Sequence, residues 1–133
     1  MAKIKGCGEA NMMRLWRAAV RKKNGNRCFL CGKSDQGQLQ CHHIVHCRNM
    51  ILRYDYRNGV PVCDHPCHSK IDSIAGRKML VESRPFDIIH ITEFETMTLK
   101  DYLHMNGIYK SEFLNEKKKE LQRILSYVPG EIM

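Results

Sequence analysis

Residues 27–72 decide the fold of this chain and read RCFLCGKSDQGQLQCHHIVHCRNMILRYDYRNGVPVCDHPCHSKID. A cysteine pair lies near each end of this stretch: Cys28-x2-Cys31 and Cys63-x3-Cys67. Tetrahedral zinc takes four thiolates from two such pairs, because each tight turn brings two sulfurs to one side of the ion. The spacing predicts a structural zinc site, since four sulfurs leave no open position for a substrate. The alternative is that some of these residues are ordinary buried thiols.

Three further cysteines, Cys7, Cys41 and Cys47, are expected to be core or free thiols. His65 lies inside the second pair and is an alternative zinc ligand. No apolar run approaches the ~20 residues that span a bilayer, and the N-terminal residues MAKIKGCGEANMM lack the apolar core of a signal peptide. We therefore expect a cytoplasmic protein with no membrane partner, in which paired cysteines bind metal rather than form disulfides.

Positive charge is concentrated at the start of the sequence. The formal net charge is +8, and residues 1–33 contain nine Lys or Arg but a single acid, Glu9. Residues 34–133 contain thirteen residues of each sign. A basic face indicates a polyanionic partner such as DNA or RNA. The alternative is a solvated, charged surface.

The spacing of apolar residues predicts an α+β fold in a single domain, residues 1–133. We expect helices at 9–23, at 68–76 with its end at Gly76, at 98–105 and at 111–128 with a stop at Pro129-Gly130. We expect turns at 27–32 and 34–38, and strands at 39–45, 59–63 and 85–91.

A histidine pair, an asparagine and a further histidine follow in order. Asn58 lies fifteen residues after His42-His43, and His68 lies ten residues after Asn58, directly following Cys67. With these residues, the stretches LWRAAVRKKNGNRCFLCG, LQCHHIV, YRNGVPVC and CHSKID resemble the HNH endonuclease family. The resemblance covers about residues 14–76. It implies a zinc-stapled ββα-metal core with an N-terminal helix and a mostly helical extension of unknown role at 77–133. The loop HCRNMILRYDYRNGV (46–60) is similar to loops of phage-encoded members.

The resemblance also implies an enzyme that hydrolyses phosphodiester bonds with one divalent ion. His43 corresponds to the general base that takes a proton from water. His42 and His68 correspond to ligands of the ion, for which Mg²⁺, Mn²⁺, Ni²⁺ or Zn²⁺ is suitable. Asn58 corresponds to the residue whose amide fixes the loop and so orients the base. Asp72 is a candidate third ligand, and the alternative is a solvated helix charge.

Basic residues around this constellation are expected to bind nucleic acid, with double-stranded DNA as the expected substrate. They are Arg48, Arg53 and Arg57 for the scissile phosphate, and Arg17, Arg21, Lys22 and Lys23 for the flanking backbone. A monomer would nick and a homodimer would cut both strands. The alternative function is a non-catalytic, zinc-stapled nucleic-acid-binding or recombination accessory protein. Such a protein would need the four cysteines but would have no use for the three histidines together.

Overall fold

The computed structural model describes residues 8–34, 39–63 and 67–127, except for the side chain of His68. These residues form five α-helices and a two-stranded antiparallel sheet. The order is α1 (Ala10–Lys23), β1 (Leu39–His43), β2 (Gly59–Cys63), α2 (Ile74–Ser83), α3 (Pro85–Phe94), α4 (Leu99–Asn106) and α5 (Lys110–Ser126). Short 3-10 helices lie at Tyr56–Asn58 and Cys67–Ser69. The predicted α+β class is confirmed. No helix in the described part of the chain is long and apolar enough to cross a membrane.

The sheet is centred on β2, whose five residues are all buried. Its register runs from the pair Leu39–Cys63 at one end to the pair His43–Gly59 at the other. α1 packs across the second end so closely that a methyl group on Gly59 would lie 2.4 Å from Val20 Cγ2. Real carbon atoms do not approach so closely, so only glycine fits here without a shift of α1.

Helix α1 lies where the sequence predicted it. The Glu9 carboxylate caps it by accepting hydrogen bonds from the backbone N–H groups of Asn11 and Met12, both at 2.9 Å. Basic residues in its last turn complement the negative end of the helix dipole. Its buried face packs against Leu121 of α5 and consists of Met12, Met13, Trp16, Ala19 and Val20.

The bounds predicted for the next helix, 68–76, are wrong. α2 begins only at Ile74, because the Ser73 hydroxyl caps it by accepting a hydrogen bond from the Gly76 N–H at 3.1 Å. Gly76 lies inside the first turn, where a methyl group would be 2.5 Å from the carbonyl oxygen of Ile71. The glycine therefore marks a close backbone approach rather than the end of a helix.

The strand predicted at 85–91 is also wrong, since this segment is helix α3. Pro85 occupies the first turn, where its missing N–H is not needed and its fixed φ suits a helix. Ile88, Ile91 and Phe94 follow at helical spacing and pack in the core, whereas Phe86 is 84% exposed. Burial of one helical face outweighs the strand propensity of the isoleucines.

The last two helices, α4 and α5, agree with the prediction. α4 ends at Gly107, which has a φ of +62°. α5 places Leu121 against α1 with no exposed surface. Most of the predicted turn at 34–38 and the predicted stop at Pro129-Gly130 lie outside the described residues.

The buried residue Asp55 contacts three helices, two through its carboxylate and one through its backbone carbonyl. Its Oδ2 lies 2.7 Å from His90 Nε2 of α3 and 3.5 Å from Lys117 Nζ of α5, and its Oδ1 lies 2.9 Å from Arg57 Nε. The indole N–H of Trp16 in α1 donates to the Asp55 backbone carbonyl at 2.8 Å. Burial raises the pKa of the Asp55 carboxyl, but the His90 hydrogen bond and the charges of Lys117 and Arg57 outweigh burial. The pKa is therefore held well below its usual range.

We predict that Asp55→Asn lowers the free energy of unfolding at pH 7 by about 3 kcal/mol, because Arg57 and Lys117 lose their buried partner and the His90 hydrogen bond is changed. The folded state binds the Asp55 proton less readily than the unfolded chain. This contribution is therefore complete above the ordinary carboxyl pKa of about 4 and is lost as the pH falls below it. Denaturant unfolding of both proteins from pH 7 to pH 3 measures the effect. The difference between them should shrink below about pH 4.

The matched control is Asp101→Asn, which removes an exposed carboxylate in the first turn of α4. It should change the unfolding free energy by less than about 1 kcal/mol, with no change in the pH profile. A pH-independent difference between the wild type and Asp55→Asn would contradict the proposed electrostatic role.

Candidate metal centre and active site

The four paired cysteines meet in one cluster that could hold a metal ion. The sulfurs of Cys28, Cys31, Cys63 and Cys67 all lie within 4.8 Å of one another, and the Cys31 and Cys63 sulfurs are 3.8 Å apart. Thiolates bound tetrahedrally at about 2.3 Å from an ion lie about 3.8 Å apart. The donor set and its spacing thus fit a four-coordinate ion. The alternative ligand His65 lies outside the described residues.

The cysteines of this cluster shift one another's pKa values. Burial raises the pKa of Cys28, but backbone N–H groups of Cys31, Cys63 and Leu30 directed at its sulfur outweigh burial and lower the pKa to about 6. Burial and the neighbouring sulfurs raise the pKa of Cys67 far above its usual value. A cation at the centre is what would allow all four groups to ionise together.

The cysteine cluster and the histidine pair lie at opposite ends of the sheet. Cys63 pairs with Leu39, and His43 pairs with Gly59. Cys63 lies four residue steps beyond Gly59 on β2, a distance of about 13 Å along a strand. A metal ion at the cysteines therefore could not serve chemistry at His43, so any catalytic ion would need a second site.

His43 is held on two sides. Its ring stacks on the Trp16 indole with the ring centroids 3.9 Å apart and the planes inclined by 5°. Its Nε2 lies 3.0 Å from the backbone carbonyl oxygen of Arg53. A carbonyl only accepts, so Nε2 carries the proton and the lone pair of the neutral ring is on Nδ1. The side chain is thereby fixed in one orientation and one tautomer.

Burial lowers the pKa of His43 to about 4, and the nearby charges of His42, His46 and Arg53 act in the same direction. The hydrogen bond to the Arg53 carbonyl opposes them only in part. At neutral pH the ring is therefore uncharged and able to accept a proton. This is the state that a general base requires before reaction.

His42 faces a carboxylate. Its Nε2 lies 3.1 Å from Asp72 Oδ1, and the side chains are 19% and 56% exposed, respectively. Arg77 Nη2 also donates to Asp72 Oδ1 at 2.5 Å. The prediction that Asp72 lies on a helix was wrong, because it precedes α2. His68 lies in the 3-10 helix Cys67–Ser69, and its side chain is outside the description.

Asn58 closes the loop between the strands. Its side-chain carbonyl accepts from the Val45 N–H at 2.7 Å, and its amide nitrogen donates to the carbonyls of Val45 at 2.9 Å and Leu52 at 3.2 Å. The residue has no exposed surface. These three hydrogen bonds hold the end of β1 against the loop that carries Arg53, the hydrogen-bond partner of His43.

The basic loop residues have different surroundings. Arg48 is exposed, with its Nε 3.3 Å from His46 Nδ1. Arg53 donates from Nε to the Cys47 carbonyl at 2.9 Å. The guanidinium of Arg57 is bound to the buried Asp55, so its charge already has a partner within the fold.

The basic residues of α1 divide between two faces. Arg17 is exposed, and Arg21 Nη2 lies 3.4 Å from the Leu39 carbonyl oxygen near β1. Lys22 donates to the carbonyls of Leu125 and Tyr127 at the end of α5, and Lys23 lies over a tyrosine ring. These four residues therefore do not form one continuous stripe.

Sequence reasoning missed two features of this region. No motif in the sequence links Trp16 to the histidine pair, although its ring supports His43. Cys47 was expected to be a core or free thiol, but it is disulfide-bonded. Cys41 does agree with expectation: it is a free thiol, and burial raises its pKa. No local motif marks a stacking partner that comes from a distant helix.

We predict that Cys28→Ser abolishes metal binding and lowers the melting temperature by more than 10 °C, because binding at such a site is coupled to folding. Elemental analysis and calorimetry of the purified proteins measure both effects. Cys41→Ser is the matched control, since Cys41 is a free thiol outside the cluster whose sulfur lies 3.5 Å from the Arg17 carbonyl oxygen. Unchanged metal content in Cys28→Ser would exclude the four-cysteine site.

Comparisons with known proteins provide no relative from which to transfer a function. No protein-family model, curated protein or solved structure matches the chain. The functional argument therefore rests on the geometry around His43, on the donor groups near it and on the four-cysteine cluster.

Proposed function

We propose that the chain is a metal-dependent endonuclease that hydrolyses phosphodiester bonds of DNA, with an HNH-like ββα-metal core formed by β1, β2 and the segment that leads into α2. The single observation that carries the proposal is the fixed, neutral His43. Its Nε2–H donates to the Arg53 carbonyl, which leaves Nδ1 as the acceptor. The Trp16 stack fixes the plane of the ring, and His42 with its carboxylate partner Asp72 is the preceding residue of β1.

In the proposed reaction, Nδ1 of His43 accepts a proton from the attacking water. Removing that proton makes the water oxygen a nucleophile for phosphorus. Trp16 and the Arg53 carbonyl act as positioning groups, since they fix the plane and the direction of the imidazole. Asn58 helps to orient the imidazole indirectly, because it anchors the loop that carries the Arg53 carbonyl.

The residue before His43 and its carboxylate partner offer donors for a divalent ion. His42 Nε2 and Asp72 Oδ1 share a hydrogen bond at 3.1 Å, so an ion bound between them would replace the shared proton and the Arg77 donor on the same oxygen. We assign His42 and His68 as ligands and Asp72 as the candidate third. Mixed nitrogen and oxygen donors accept Mg²⁺, Mn²⁺, Ni²⁺ or Zn²⁺. Such an ion would supply a Lewis acid for the phosphoryl and leaving oxygens.

The ion proposed for the four cysteines is zinc, in a structural role. Four thiolates in a tetrahedral arrangement select zinc among the common cellular ions. It would tie the turn at Cys28–Cys31 to the end of β2 and to Cys67. The ion would stabilise the sheet that carries His43 without touching the substrate.

Double-stranded DNA is the proposed substrate, in agreement with the net charge of +8. Arg48 and Arg53 lie in the loop next to His43 and are assigned to the phosphates near the cut. Arg17 and Arg21 of α1 are assigned to the flanking backbone. Contacts of this type give salt-sensitive affinity with little sequence preference.

We predict that His43→Ala slows metal-dependent plasmid cleavage by about 100-fold or more, because a positioned general base contributes at least that much. DNA affinity without added divalent ion and the near-ultraviolet circular dichroism spectrum should change little. His104→Ala is the matched control, since His104 is exposed on α4. It should cleave at the wild-type rate, and full activity of His43→Ala would refute the mechanism.

The non-catalytic accessory protein remains the alternative function, and the four-cysteine cluster is the observation that favours it. Both functions predict salt-sensitive DNA binding. They differ in cleavage, because only the endonuclease requires His42, His43 and His68. A wild-type protein that binds DNA but does not cut it with any divalent ion would favour the accessory role.

A further inference from the structure

A cleft of about 610 Å³ lies between the end of α1 and the end of α5, away from the cysteine cluster. Its volume is in the range of small-molecule binding sites. Its walls are cationic and aromatic, and the residues that matter here are Lys22, Lys23, Tyr56, Glu120, Arg123 and Tyr127. None of these residues takes part in the proposed cleavage chemistry.

The charges of the cleft leave two cations available for an anion. Glu120 is the acid of the cleft, and the two cations near it, Lys117 at 3.9 Å and Arg57 at 4.0 Å, are shared with Asp55. Lys22 caps the end of α5 by donating to two backbone carbonyls. Lys23 and Arg123 are exposed, and neither forms an ion pair with any residue in the ranges 8–34, 39–63 and 67–127.

The aromatic groups of the cleft offer faces for stacking. Tyr56 is half-buried, and the ammonium group of Lys23 lies 5.6 Å from its ring centroid. The Lys23 side chain is exposed and flexible, so it can turn toward a phosphate and uncover this ring. The Arg57 guanidinium, 5.2 Å from the same ring, is anchored by Asp55 and would support Tyr56 in place. Tyr127 is 48% exposed at the other side of the cleft.

We propose that this cleft binds an unpaired nucleotide, with its base stacked on Tyr56 and its phosphate bound by Lys23 and Arg123. A base within a duplex is already stacked on its neighbours and cannot enter a cleft. An aromatic wall beside cations is the arrangement that binds single strands without sequence preference. The ligand class is therefore a single-stranded segment of nucleic acid, such as a flap, a gap or a frayed end.

The cleft and the proposed active site both adjoin α1. Lys23 lies seven residues beyond Trp16 on α1, which is about 10 Å along the helix axis, and Trp16 is the stacking partner of His43. The inference extends the proposed function by adding single-stranded character to the substrate next to the cut.

The test is fluorescence anisotropy of the zinc-loaded protein with a labelled single-stranded oligonucleotide and a blunt duplex of the same sequence, without any added divalent ion so that no cleavage occurs. Tyr56→Leu should weaken single-strand binding about tenfold, because loss of one stacked base costs on the order of 1–3 kcal/mol. Tyr56→Phe keeps the ring and should retain wild-type affinity. Arg123→Gln should lower the salt dependence of single-strand binding by about 0.7 in log–log slope. Lys100→Gln, an exposed lysine on α4, is the control.

A second measurement pairs protein and ligand changes. Each oligonucleotide of a series lacks the base at one position. One member should bind the wild-type protein about tenfold more weakly than the intact strand does. The same member should bind Tyr56→Leu as tightly as the intact strand does, because the variant has already lost the stacking contact. Equal losses on single strand and duplex, no loss in Tyr56→Leu, or no single-strand binding by the wild type would each overturn the inference. Because binding is measured without an added divalent ion, these outcomes are independent of whether His43 catalyses cleavage.

Discussion

The buried charge of Asp55 is the constraint on which the rest of the structure depends. Removing a carboxylate from water costs several kcal/mol unless cations and hydrogen bonds replace the water. Here the replacements come from the loop itself, from His90 of α3 and from Lys117 of α5. The two helices must therefore lie against the loop. The Asp55 carbonyl also accepts the indole hydrogen of Trp16, which places the ring on which His43 stacks. The geometry at the candidate base thus depends on the position of Asp55, whose carboxylate and backbone carbonyl both bind to helices.

The small sheet also depends on contacts from residues outside it. A two-stranded hairpin is marginally stable in water by itself, and this one is joined by a loop of fifteen residues. It is fixed at both ends by different chemistry. The four cysteines gather at the end where Cys63 pairs with Leu39, while Asn58 and α1 hold the end where Gly59 pairs with His43. A metal ion at the four cysteines would therefore lie at the opposite end of the sheet from the histidine pair.

Much of this arrangement could be predicted from local sequence. The cysteine spacing predicted the cluster, because both pairs are short-range turns. The strand at Gly59–Cys63 and the first helix were predicted within a residue, since apolar periodicity and clear stop signals agree there. The helix at Pro85–Phe94 was predicted as a strand, because its isoleucines favour a strand when considered without the core that they pack against. Gly76 was misread for a similar reason. Glycine is needed there because the backbone carbonyl of Ile71 approaches closely, not because a helix ends.

The network around Asp55 could not be predicted at all. His90 and Lys117 lie 35 and 62 residues from Asp55 in the sequence, and neither belongs to a motif. Only the packing of the helices brings their charges together. Trp16 is similar: its spacing in α1 indicated burial but not that its partner is an imidazole. The sequence could thus predict the cysteine cluster, while the groups that surround the histidine pair depend on tertiary contacts.

The most direct measurement is cleavage of DNA by the zinc-loaded wild-type protein in water enriched in ¹⁸O, with added Mg²⁺ or Mn²⁺. The mass of the product ends is then determined. If His43 activates water, each cut should place one ¹⁸O atom in the terminal phosphate of the product, and omission of the divalent ion should prevent cutting. Products without ¹⁸O would show that a protein or substrate group attacks the phosphorus, and the absence of cleavage with any divalent ion would contradict the assignment as a nuclease.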